Sequence, residues 1–208
     1  MEDHEQLGSQ QPLADGDWDG ETETAPLESV PTSSAPSVTP EPRLRGKAAR
    51  RAEEKRIVDA AMHTLTNYGI SILHNRLVPG SDGVLENVAI GNHGVTVVRA
   101  APFKGRIRTT RKDIYVGGTN CAVLVNGLMS RVDTVRHMVG GECEVQGAFV
   151  LTRQKFSEPK FFGPIAFANT QAIVEWLAQR HRTSEESLDI VGLANELDGI
   201  FLPFDMMS

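Results

Sequence analysis

The chain is poor in cysteine, with only Cys121 and Cys143 among 208 residues. Two thiols make neither a disulfide framework nor a four-ligand zinc site, so a reduced, cytoplasmic setting is the expectation. No apolar run approaches the roughly 18 residues of a membrane span. The opening stretch MEDHEQLGSQQPLADGDWDG has no apolar segment of the kind a secretory signal carries, and no membrane role is expected. Phosphate-loop and dinucleotide fingerprints are missing as well; Gly117-Gly118 reads as a turn. The histidines His63, His74, His93, His137 and His181 show no ligand-like grouping, and no Ser-His-Asp set emerges. Basic residues are absent from residues 1–42, which hold no Lys or Arg.

Those first 42 residues carry ten acids: Glu2, Asp3, Glu5, Asp15, Asp17, Asp19, Glu21, Glu23, Glu28 and Glu41. Taking these from the 27 acids of the chain leaves 17 against 21 bases in residues 43–208. The net charge of −6 therefore hides a mildly basic remainder behind an acidic tail. The tail is rich in Pro, Ser, Thr and Gly and buries too little apolar surface to offset ordering entropy, which predicts disorder over 1–42. Asp15-Gly16-Asp17-Trp18-Asp19-Gly20 has the look of a calcium-loop start, but Pro26 stands where the closing Glu belongs.

A basic run follows, with Arg43, Arg45, Lys47, Arg50, Arg51, Lys55 and Arg56. It leads into a helix whose stripe is Ile57, Val58, Ala61, Met62 and Leu65, ended by Asn67-Tyr68-Gly69. Strands are expected at Ile70–Val78, Val84–Ile90 and Gly94–Ala100, separated by the turns PGSDG and GNHG. Lys104–Arg108 and Ile114–Val116 read as a short hairpin. Leu124, Leu128, Val132, Val135 and Val139 mark one helical face. Strands Glu144–Leu151 and Pro164–Ala168 are expected on either side of a polar loop. Two helices close the chain, one with Ile173, Val174 and Leu177, the other with Leu188, Val191, Ala194 and Leu197. The order predicts a mixed α/β domain with a central mixed sheet and helices on both faces.

These segments carry a resemblance. YGISILHN (Tyr68–Asn75), LENVAIGNHGVTVVRAAPFKGRIR (Leu85–Arg108), IYVGGTNCAVLVNGLMSRVDTV (Ile114–Val135) and FFGPIAFANTQAIVEWLA (Phe161–Ala178) resemble, in order, the NERD (nuclease-related) domain family. That family implies a restriction-endonuclease-like PD-(D/E)xK fold over residues 43–182, leaving 183–208 as a C-terminal helix and apolar tail. It also implies metal-assisted phosphodiester hydrolysis, in which acids on neighbouring strands hold a divalent cation and a lysine stabilises developing charge. Magnesium needs hard oxygen ligands, typically one or two carboxylates with water.

The motif positions depart from that pattern. The Asp of the family's Ile-Asp-His falls at Glu86. The Asp of its Asp-x-Lys falls at Arg99 and the Lys at Ala101. The helix Gln falls at Arg131. The first-helix Glu falls at Lys55 or at Glu54, depending on which residue anchors the alignment. An arginine in a ligand's place repels a cation and can pair with Glu86; at about 4 Å such a pair attracts by roughly 4 kcal/mol at an effective dielectric of 20, less desolvation.

Glu86 thus reads as a strand acid paired with Arg99, or as a relic ligand. Arg99 and Arg131 read as an anion pocket or as arginines with carboxylate partners. Lys104, Arg106 and Arg108, with Arg111, Lys112, Arg50 and Arg51, offer phosphate contacts or a solvated face; Phe103 and Tyr115 are the only aromatics near the hairpin. The expectation is a nuclease-related domain without hydrolytic activity and without a cofactor, binding DNA or RNA through the basic hairpin or a protein through the apolar C-terminal LPFDMMS. Two readings stand beside it: a Mg²⁺- or Mn²⁺-dependent nuclease rebuilt around Glu54 and Glu86, and an assembly scaffold that binds no nucleic acid.

Overall fold

A computed structural model describes residues 46–79, 83–110 and 113–204. The expectations for the acidic tail, for Arg43 and Arg45, for the side chain of Lys47, for Arg111 and Lys112 and for the last four residues lie outside the described residues.

Helix α1 (Lys47–His63) carries the exposed pair Glu53–Arg56 and the part-buried pair Lys55–Asp59. Val58, Met62 and Leu65 form its buried seam, the last in the 3-10 turn Thr64–Tyr68. Gly69, at φ 83°, ends this segment in the left-handed conformation that favours glycine. Ile57, expected in the stripe, is instead 40% exposed. A residue next to Val58 points about 100° away from a seam spaced i, i+4, i+7.

Strands β1 (Ser71–Leu77), β2 (Val84–Gly91) and β3 (Gly94–Ala101) form an antiparallel meander. Gly94 closes the β2–β3 turn at φ 97°, against the Glu144 carbonyl. A separate small sheet holds β4 (Ile107–Thr109), β5 (Ile114–Val116) and β6 (Thr119–Asn120). Helix α2 (Ala122–Met138) then crosses over to β7 (Val145–Leu151), which runs parallel to β3. Strand β8 (Lys160–Phe162) turns into β9 (Ile165–Ala168), parallel to β7. Helices α3 (Thr170–Thr183) and α4 (Ile190–Ile200) follow, and β10 (Leu202–Pro203) pairs with β1.

The main sheet has the order β10-β1-β2-β3-β7-β9-β8. Alternation along its strands feeds two cores. Val95, Val97 and Ala101 of β3 pack with Leu128, Val132 and Val135 of α2 and with Leu193 and Leu197 of α4. Val98, with Ala89 and Ala148, packs with Val58 and Met62 of α1 and Ile173 and Leu177 of α3. The expected mixed sheet flanked by helices is present.

Four details differ from expectation. In the small sheet only Arg108 of the three basic residues lies in a strand; Lys104 and Arg106 precede it. The polar loop before Ile165 contains β8, too short to show a period in sequence. Val191 of α4 is 68% exposed, because Leu193, Ala194 and Leu197 carry the buried seam. The C-terminal helix is no separate unit: α4 shares the core of β1 and β2, and Leu202–Pro203 extends the sheet. Among the described residues no helix is long and apolar enough to cross a membrane.

Candidate functional site

Strands β3 and β7 run parallel, so their C-terminal ends lie side by side, with Ala101 opposite Leu151. Ligand-bearing groups commonly gather at such ends of an α/β sheet. Glu86 lies at this edge in a gap of the sheet. Strand β1 pairs with β2 at His74–Asn87 and Arg76–Leu85 but not between them, where Asn75 takes φ 50°. On the other flank the β2–β3 ladder stops at Asn87–Val98.

The Glu86 carboxylate meets β3 just beyond the end of that ladder. Its Oε2 accepts the Ala100 N–H at 2.9 Å, and its Oε1 lies 3.4 Å from Nε of Arg99. The two side chains are 14% and 17% exposed. The alternation of β3 puts Arg99 on the α2 side of the sheet, with Val97 and Ala101. Arg131 of α2 joins them there. Its Nη1 donates to the Gly127 carbonyl at 2.9 Å, and its Nε is buried without a partner. Burial first, and then the charge of Arg99, hold the Arg131 guanidinium below the usual arginine range, while Glu86 opposes the shift. Ala101 is a packed core residue, 2% exposed, and contributes no polar group.

Glu54 sits elsewhere. It is buried on α1, 3% exposed, and Arg153, just beyond β7, approaches it at 2.9 Å. Neither Glu54 oxygen makes a well-directed hydrogen bond. Lys55, the other candidate for the first-helix position, bridges to Asp59. Asp59 in turn accepts from Asn87 Nδ2 at 2.8 Å, and Asn87 Oδ1 accepts from His74 Nδ1 at 2.6 Å. This chain satisfies the fully buried Asn87, and nothing in the spacing of these residues announced it.

A divalent cation does not fit this donor set. Both Glu86 oxygens are engaged, Glu54 is matched to Arg153, and the strand neighbour that faces Glu86 is the cation Arg99. No group of three or more His, Cys, Asp or Glu suited to a metal is found among the described residues.

Basic residues cluster at the same edge. Lys104, Arg106 and Arg108 are exposed and form no ion pair among the described residues. The loops after β3 and β7 touch there, where Gln154 Nε2 donates to the Gly105 carbonyl. Arg153 links that edge to α1, whose Arg50 and Arg51 are exposed one turn before Glu54.

At the opposite end of β3 a groove of about 520 Å³ is lined by His93, Cys143, Glu144 and Arg180, among others. His93 lies in the expected GNHG turn and is buried there, at 5% exposure. Desolvation, with the charges of Arg180 and His181, lowers its pKa to about 4. Burial pushes the thiols of Cys121 and Cys143 up, which argues against a thiolate nucleophile at either.

No protein-family profile matches this chain, and no solved structure matches it. The Nus factor SuhB of Haemophilus influenzae is 35% identical over 78 residues, covering 37% of this chain and 29% of that protein. The chain thus spans less than a third of the length of that relative.

Proposed function

We propose that this chain is a nucleic-acid-binding domain on a NERD-like, restriction-endonuclease-like scaffold that has lost the hydrolytic centre. The observation that carries the reading is the set of bases at the C-terminal edge of β3 and β7. Lys104, Arg106 and Arg108 lie beyond β3, Arg153 beyond β7, and Arg50 and Arg51 on α1. Arg153 is paired with Glu54, but the exposed bases Lys104, Arg106, Arg108, Arg50 and Arg51 form no ion pair among the described residues. Such bases release counterions when they meet phosphates, which drives sequence-independent binding. The Glu86–Arg99 pair supports the loss of hydrolysis, because it places a fixed cation where the resemblance asks for a carboxylate.

Fluorescence anisotropy with labelled DNA and RNA, over a series of salt concentrations, tests this. Binding should weaken steeply with salt, and the Lys104→Ala/Arg106→Ala/Arg108→Ala variant should lower the slope of log K against log salt by about 2 to 3. A salt-independent affinity, or a slope unchanged in the variant, defeats the reading and leaves the protein-scaffold alternative. Plasmid DNA with Mg²⁺ or Mn²⁺ should stay intact. Cleavage that disappears in Glu86→Ala would instead establish the nuclease.

A further inference from the structure

Arg131 stands near the Glu86–Arg99 pair on the α2 side of the sheet, close enough to feel both charges but bonded to neither. Glu86 spends one oxygen on the Ala100 amide and the other on Arg99. Arg99 turns its Nε to Glu86, and no other contact engages its guanidinium among the described residues. Arg131 spends Nη1 on its own helix and keeps a buried Nε–H without an acceptor. The cluster therefore holds one positive charge in excess and donors left over, in a place where both Arg99 and Glu86 are largely withdrawn from water. Half-buried charge of one sign is unfavourable unless something neutralises it, and unfilled donors add to that cost.

The depressed basicity of Arg131 reports the same imbalance. Arg131 is pushed by burial and by Arg99, and Glu86 only partly offsets them. A ligand with one negative charge and two acceptor oxygens would relieve both the excess charge and the unfilled donors. Guanidinium forks match the oxygens of a phosphoryl group, which makes them suited to that ligand.

We propose that Arg99 and Arg131 form a seat for one phosphodiester group of a nucleic-acid backbone, with Glu86 as the counter-charge that limits their excess to a single positive charge. The proposal rests on the nucleic-acid reading above. A phosphodiester brings a single charge, equal to the excess. A phosphomonoester carries about −1.5 to −2 near neutral pH and would overshoot it. Along the chain the seat is close to the exposed bases: Arg99 lies two residues before the end of β3 at Ala101, and Lys104 three residues after it.

The test uses the full chain, a fluorescein-labelled oligonucleotide in single-stranded and duplex form, and dimethyl phosphate as an isolated diester followed by ³¹P line width. Arg131→Gln is expected to weaken oligonucleotide binding about tenfold or more and to lower the salt slope by about one. Glu86→Gln, which raises the excess charge, is expected to tighten binding several-fold. Dimethyl phosphate should broaden with the wild type and not with Arg131→Gln. Arg131→Lys covers a failure of Arg131→Gln to fold: it keeps the charge and the salt slope but loses the fork, and binding should still weaken several-fold. Wild-type affinity in a folded Arg131→Gln variant, or weaker binding by Glu86→Gln, overturns the seat while leaving the basic edge intact. Absence of any salt-dependent binding by the wild type removes both proposals together.

Discussion

Glu86 and Arg99 face each other across the end of an antiparallel pair, 3.4 Å apart and largely shielded from water. Removing one partner of a shielded pair leaves the other charge uncompensated, which costs more than the intact pair contributes. Glu86→Gln, which leaves the Arg99 and Arg131 charges without a carboxylate, is therefore expected to lower stability by about 2 to 3 kcal/mol in urea unfolding. The double variant Arg99→Ala/Glu86→Gln should recover part of that loss. Additive losses in the double variant would show that the two side chains are not coupled.

His93 gives the protein an acid sensitivity with a definite sign. Its folded pKa of about 4 lies below the ordinary 6.5, so the unfolded chain binds the extra proton first. Its contribution is fully present above pH 6.5 and is lost as the pH falls through about 4. Within that window the slope is about 1.4 kcal/mol per pH unit. Urea unfolding at several pH values should show this slope in the wild type and lose it in His93→Asn; equal slopes in the two proteins would remove the assignment.

Glu54 and Arg153 form a lopsided pair, one buried and the other 41% exposed. Arg153→Ala strands the buried acid and should cost about 1 to 2 kcal/mol after allowance for solvent on the arginine side. Glu54→Met, which removes the charge and keeps the volume, is expected to be neutral or stabilising in thermal unfolding. A large loss from Glu54→Met would mean that the carboxylate has a structural partner of greater weight than Arg153.

Gly94 is fixed by its neighbours. A Cβ there would run into the Glu144 carbonyl, the same atom that accepts the Val95 N–H at 2.8 Å, and the φ of 97° is one that side-chain-bearing residues rarely adopt. Gly94→Ala should lose at least about 2 kcal/mol. Near-native stability in that variant would show that the loop bearing Glu144 can shift.

The mixed sheet and its flanking helices were legible because period and turn chemistry agree locally. Val95 and Val97 alternate cleanly, Gly69 and Gly94 punctuate, and Leu128, Val132 and Val135 repeat at helical spacing. Strand β8, strand β10 and the burial of His93 were not legible. Two- and three-residue strands have no period, and His93 is buried by α3, which lies far along the chain. At the site, the Glu86–Arg99 pair was foreseeable because adjacent strands bring those positions together. The Glu54–Arg153 pair was not, since it depends on how α1 lies across the end of β7. The engagement of Glu86 with the Ala100 amide depends on the β2–β3 ladder stopping at Asn87–Val98, a backbone feature that residue type alone does not dictate.

Strand β10 has a consequence for biosynthesis. The outer edge of β1 is covered at Arg76 and Leu77 by Pro203 and Leu202, which emerge from the ribosome only after the rest of the sheet has been made. Until then β1 presents an open row of amides and carbonyls to other nascent chains. The stretch that ends this vulnerable interval is only two residues long, and one of them is a proline that no further strand can readily extend upon.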